Sequence, residues 1–186
     1  MKKQNKKKKF KEFWLADYFR NTDGKHYRFL KYFSMGKKLR FLFWLRKCQT
    51  SKGFLLFINK LIFRHYYGWN NNNLSYKTKI GKGLYLGHSG GRYVNSEAEI
   101  GENCNINHNV TIGQENRGSR IGCPKVGSKV WIGCNSVIVG NITIGDNVLI
   151  APNSYINFSV PNNSIVVGGK IIEKENATEK YINYIV

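Results

Sequence analysis

The sequence predicts a mainly β fold, a triangular coil of parallel strands preceded by an α-helical segment. Three observations carry this. From Ile80 an aliphatic residue returns every six positions, at Ile80, Leu86, Val94, Ile100, Ile106 and Ile112, then at Val126, Ile132, Ile138, Ile144, Ile150 and Ile156. Four places later in each unit stands a small or β-branched residue, as at Ala98, Val110, Val130, Ser136, Val148 and Ser154. A Gly or Asn commonly follows the aliphatic, where the backbone has to relax at a corner. Neither a helical period nor strand alternation gives a beat of six. A triangular coil does, with one hexad to a side and three sides to a turn. The twelve hexads predict about four coils, a prism roughly 20 Å tall.

Residues 1–72 carry no hexads. The first nine residues hold six Lys, a composition expected to be disordered. "KEFWLADYFRN", "KKLRFLFWLRKCQ" and "KGFLLFINKLIFRHYYGW" read as helices with mixed apolar, aromatic and basic faces, separated by turn residues at 21–24, 34–36 and 50–53. The coil then spans 73–172 and a tail follows over 173–186. Two insertions interrupt the beat, two residues at Arg92–Tyr93 and a loop over 114–125.

Charge divides the chain in the same place. Residues 1–80 hold 21 Lys/Arg against 3 Asp/Glu, whereas 81–186 hold 9 against 8. The front is a polycation and the coil is nearly neutral, so the two parts have different work. The apolar runs in the front are short and broken by Lys/Arg, and no transmembrane segment or cleavable leader is read. Cys48, Cys104, Cys123 and Cys134 form no CxxC pair or Cys/His cluster, so no metal is expected, and reduced thiols fit better than disulfides.

"IGENCNINHNVTIG", "VWIGCNSVIVGNITIGDNVLIAPNS" and "VPNNSIVVGGK" resemble the hexapeptide-repeat acyltransferases, more narrowly the serine-acetyltransferase-like branch that includes capsule and exopolysaccharide O-acetyltransferases. The resemblance covers over half the chain. It implies a left-handed parallel β-helix, a hand taken from the resemblance because ordinary crossovers are right-handed. It also implies acetyl-CoA as co-substrate and a homotrimer with the cofactor groove between subunits.

Within the repeat, His88 stands two places after Leu86, and three hexads on His108 stands two places after Ile106. Cys134 and Pro152 take the same place in the next turns, and the phasing puts His88 and His108 on one face of the prism, stacked on adjacent coils about 5 Å apart. Both insertions are expected to wall a cleft at that column. In the resembling family the His of "DH-x-x-G" is the general base that deprotonates the acceptor hydroxyl, and "GHSGG" carries that role to His88. His108 is its neighbour, structural or acceptor-orienting. An imidazole suits proton transfer at neutral pH, and glycine-rich corners offer N–H groups to an oxyanion. By the same matching Gly113, Gly133, Cys134, Ala151, Pro152 and Lys170 line the acetyl-CoA site, with Arg117, Arg120 and Lys125 for its phosphates.

Several family positions differ. The Asp before the base is Gly87, the Asp fifteen residues upstream is Asn73, "RHPK" has become "GCPK" with Cys123 for its histidine, and "GVPAR" is reduced to "GGK". Asn73, Asn95 and Glu97 are candidates to orient the base. These losses favour a sugar or glycan hydroxyl over serine as acceptor. The leading expectation is therefore an acetyl-CoA-dependent O-acetyltransferase acting on a glycan by direct transfer, since no activated nucleophile is evident. It is placed in the bacterial cytoplasm, with residues 1–72 against the anionic inner face of the membrane. No nucleic-acid motif accompanies the charge. Serine O-acetylation is the alternative, and a non-catalytic scaffold at the membrane is the alternative of another class.

Overall fold

In the computed structural model, residues 2–27, 32, 34–67 and 72–186 are described. Three helices, α1 (Lys2–Asn21), α2 (Lys37–Thr50) and α3 (Gly53–Tyr67), precede a left-handed parallel β-helix. α1 runs from Lys2, so the lysine-rich opening expected to be disordered is helical. Lysine is a good helix former, and the run leads directly into the packing residues Phe10 and Trp14. Gly68 and Trp69, which the sequence reading placed at the end of the third helix, lie outside the described residues.

The first face of the prism stacks Asn72–Leu74, Arg92–Val94, Val110–Gly113, Val137–Val139 and Tyr155–Ile156 in parallel. The second stacks Lys79–Ile80, Glu99–Ile100, Lys125–Val126 and Thr143–Ile144, continued by a parallel bridge from Ile144 to Val160. The third stacks Tyr85–Leu86, Asn105–Ile106, Trp131–Ile132, Val148–Ile150 and Ser164–Val167, with Lys170–Glu173 added antiparallel. That makes five coils where about four were expected. Leu74 begins the extra rung, and the last rung was hidden because Val160 follows Ile156 by four residues instead of six.

The hexad aliphatics form the core, from Leu74 and Ile80 through Ile112, Val126 and Ile132 to Val166, all buried. The small residues of each unit, such as Ala98, Val110 and Ser136, are buried between them. The corners explain the asparagines. Asn109, Asn135 and Asn153 all adopt φ between +56° and +59°, the left-handed region that Asn tolerates best after Gly. Their carboxamides then ladder down the edge, Asn109 Nδ2 donating to Asn135 Oδ1 and Asn135 Nδ2 to Asn153 Oδ1, each at 3.1 Å.

The first coil has no coil above it, so its outer backbone groups need other partners. α1 and α2 supply them. Asp17 Oδ1 accepts from Leu84 N at 2.8 Å, and Asn21 Oδ1 accepts from Leu86 N at 3.2 Å. Arg46 donates to Ile80 O at 2.9 Å and to Gly81 O at 2.6 Å, while pairing with Asp17 at 2.7 Å with both side chains fully buried. The tail packs back on the prism: Ala177 and Ile182 are buried, and Tyr181 rests on Trp131 with ring centroids 5.4 Å apart.

Candidate active site

Register builds the site. Leu86, Ile106, Ile132 and Ile150 are partners down the third face, so the residues two places on share the corner between the third and first faces. Those residues are His88, His108, Cys134 and Pro152, the column the sequence phasing predicted. The rings of His88 and His108 lie 6.1 Å apart, edge to face at 76°. His88 is exposed, and its ring makes no hydrogen bond among the described residues. His108 is half-buried, and its Nδ1 is buried with no partner.

Glycine gives the histidine loop its path. Gly90 has φ +146°, and a Cβ there would stand 2.7 Å from the Cβ of His108. Any side chain at Gly87 would run into the Asn107 carboxamide, which is anchored by donating to Ile132 O at 2.9 Å. An aspartate before the histidine would therefore require the Asn107 carboxamide to move.

Arg92 holds the loop from inside. Its Nη2 donates to His88 O at 2.7 Å, its Nη1 to Gly90 O and Asn72 Oδ1 at 3.1 Å each, and its Nε to Ile106 O at 2.9 Å. Arg92 is 2% exposed, and burial pushes its pKa down to about 10. Sequence reasoning saw Arg92 only as part of an insertion. Its register partner is Val110, so it occupies the small buried position of its hexad once the two extra residues are counted. That mismatch, a full cation at an inward position, was the signal available.

The remaining candidates divide between two corners. Gly133, Cys134, Ala151 and Pro152 lie at the histidine corner, one to two coils further on. Gly113 ends its strand at the opposite edge of the first face, where the loop 114–125 departs. Asn95, Glu97 and Cys123 are at that edge too. Asn95 Oδ1 accepts from Glu97 N at 2.9 Å, and burial followed by the Glu97 charge pushes the Cys123 thiol up. The loop thus does not wall the histidine column of its own chain as expected, because it leaves from the corner one hexad later. Arg117 is exposed in this loop, and Arg120 is held 3.3 Å from Glu115. Lys125 is exposed on the second face in register with Glu99, and Lys170 is exposed where the antiparallel strand begins.

Asn73 points outward from the first coil, in register with Tyr93, and its Oδ1 accepts from the Tyr67 hydroxyl. Its carboxamide is engaged with α3 and not with an imidazole. Beside it a shallow groove runs across the first face, lined by Asn73, Lys77, Tyr93, Asn95, Thr111 and Gly113 among others, with no carboxylate.

Comparison with known proteins agrees with this architecture. The family model described as "Bacterial transferase hexapeptide (six repeats)" matches residues 123–157. The chain is 34% identical over 92 residues to a serine acetyltransferase of Helicobacter pylori, covering 50% of this chain and 54% of that protein. It is 39% identical over 101 residues to a serine acetyltransferase of Staphylococcus aureus, covering 52% of this chain and 46% of that one. The chain thus spans about half the length of the curated relatives it matches. Among solved structures, it is similar to the serine acetyltransferase of Neisseria gonorrhoeae in complex with serine, at 26% identity and a TM-score of 0.66, over 91% of this chain and 69% of that one. The serine acetyltransferase of Brucella abortus gives 26% identity and a TM-score of 0.67, over 92% and 70%. The resemblance read from the hexads and the histidine loop is therefore to serine-acetyltransferase-like proteins, and none of these relatives or structures is a glycan acetyltransferase.

Proposed function

We propose that the chain is an acetyl-CoA-dependent O-acetyltransferase of the serine-acetyltransferase type, with His88 as general base. The observation that carries this is the exposed His88 ring in a glycine loop stapled by Arg92, at the corner of a hexapeptide-repeat prism similar to serine acetyltransferases. His88 takes the proton from the acceptor hydroxyl as that oxygen attacks the thioester carbonyl. The tetrahedral oxyanion collapses, the C–S bond breaks, and the CoA thiolate leaves and takes up a proton. His108, edge-on to His88, fixes the plane of the imidazole. Gly133, Cys134, Ala151 and Pro152 continue the same corner as a run of backbone along which acetyl-CoA lies. A cytoplasmic location goes with this reading, since acetyl-CoA is a cytoplasmic metabolite in bacteria.

The acceptor expectation changes with the comparisons, which back serine over a glycan. Serine is the first acceptor to test. A glycan hydroxyl stays as a second reading on one observation: Gly87 and Asn73 stand where the resembling family has its two aspartates, so neither position offers a carboxylate to meet an ammonium group.

A homotrimer supports the site. In one chain the loop residues Arg117, Arg120 and Cys123, with Gly113, Asn95 and Glu97, lie across the first face from His88. A second prism packed on that face brings its own copy of this edge to the histidine corner, and Lys125 and Lys170 are then phosphate contacts at its border.

The test is CoA release from acetyl-CoA by purified protein with serine, and separately with nucleotide sugars and lipid-linked glycans. Turnover with serine is expected, and His88→Ala is expected to lower it on the order of 10²–10⁴-fold with the circular dichroism spectrum unchanged. Turnover with a glycan alone would move the acceptor to the second reading. A fall of only a few-fold in the variant would remove His88 from the base role.

A further inference from the structure

α3 buries one side and leaves a large apolar stripe on the other. Asn59 and Phe63 face α2 and the first coil, whereas Phe54, Leu55, Phe57, Ile58 and Leu61 are exposed by 79%, 60%, 56%, 37% and 56%. Positions 54, 57, 58 and 61 follow the spacing of a single helical face. The rings of Phe54 and Phe57 are stacked 6.4 Å apart, so the stripe presents a continuous aromatic end. Scattered apolar residues on a surface are ordinary, but four on one stripe of a fifteen-residue helix mark a contact.

The borders of the stripe identify the partner. Lys52, Lys60 and Arg64 flank it and are exposed, and α2 and α3 together contain no Asp or Glu. A two-fold contact with a second copy would oppose this patch to itself and bring the same cations together with no acid to answer them. An anionic bilayer has the complementary charge and accepts the apolar stripe. We propose that α3 is the docking surface for an anionic lipid bilayer. The helix lies in the plane of the interface, with Phe54, Phe57, Ile58 and Leu61 at the acyl boundary and Lys52, Lys60 and Arg64 among the headgroup phosphates. This proposal stands apart from the acetyltransferase reading and would survive its failure.

The full-length protein is sedimented with phosphatidylcholine vesicles, with and without phosphatidylglycerol. Binding to the anionic vesicles is expected, weakened by salt, and lost with Phe54→Ser, Phe57→Ser and Leu61→Ser combined. Lys52→Glu, Lys60→Glu and Arg64→Glu combined are expected to weaken it on the order of 100-fold or more. These side chains are exposed, so both variants should keep the wild-type circular dichroism spectrum. The proposal is overturned if the wild type ignores the anionic vesicles, or if the serine variant still binds as the wild type does, which would leave the lysines of α1 as the contact. It is equally overturned if the wild type forms a larger assembly that the serine variant breaks down, which would make a second copy the occupant of the stripe.

Discussion

Arg92 is a buried charge whose partners are two loop carbonyls, the Ile106 carbonyl and the Asn72 carboxamide, with no carboxylate among them. Removing it leaves several buried acceptors unsatisfied, each at about 1–3 kcal/mol. Arg20 is the natural control. It is equally buried, its pKa is likewise pushed down to about 10 by burial, and it donates to Gly83 O and Cys104 O and to Asn105 Oδ1. Those partners lie around the first and second coils, away from the histidine loop. Both Arg92→Ala and Arg20→Ala should therefore lower the urea midpoint. Only Arg92→Ala should lower kcat, by on the order of 10–100-fold below the unfolding transition, because it releases the backbone that aims His88. Arg92→Lys keeps the charge but not the planar fork, so it should restore little. Equal kcat for the two alanine variants would reduce Arg92 to a packing role.

At the scale of elements, the decisive seam joins α1 and α2 to the first coil. Asp17 and Arg46 pair there, and the same two side chains serve Leu84 N, Ile80 O and Gly81 O. Asp17→Ala strands a fully buried guanidinium and should destabilise the protein by about 3–5 kcal/mol in chemical denaturation. Replacing both partners with Asp17→Leu and Arg46→Met often relieves such a loss, because the pair is removed together. Here the three backbone groups stay unserved, so the double variant should still fall about 2 kcal/mol or more short of the wild type. Full recovery would mean that water or another side chain takes over the coil edge. This seam was not legible in the sequence, because its partners are 29, 35 and 67 residues apart and no local pattern links them. The coil was legible, because each hexad repeats one local environment, and the histidine column followed from that phase alone. Phase also explains the failures. Two extra residues masked the inward position of Arg92, a two-residue deficit before Val160 hid the fifth coil, and the loop 114–125 was assigned to the wrong corner.

The whole molecule is a nearly neutral prism bearing a cationic cap, and its first face is the one on which the proposed trimer would pack. Tyr93, Thr111, Val137 and Tyr155 form one outward column on that face, and Tyr93 and Tyr155 are about half exposed or more. A β-helix closes its own coils but not its flanks, so an apolar column of this kind calls for a neighbouring surface. The face also separates the histidine corner from the edge carrying Asn95, Glu97 and the loop, two edges that the proposed trimer would bring together between neighbouring prisms. Assembly and activity should then fail together. Tyr155→Asp lies in the fifth coil, far along the prism from His88, and buries a charge only if a neighbour packs there. Light scattering should give the wild type the mass of three 21.5 kDa chains and the variant that of one. CoA release should drop with the mass, and it should recover when protein concentration is raised enough to restore the trimer. A variant that becomes monomeric yet retains full turnover would show that one chain holds a complete site, and the role given to the loop of the neighbouring prism would be wrong.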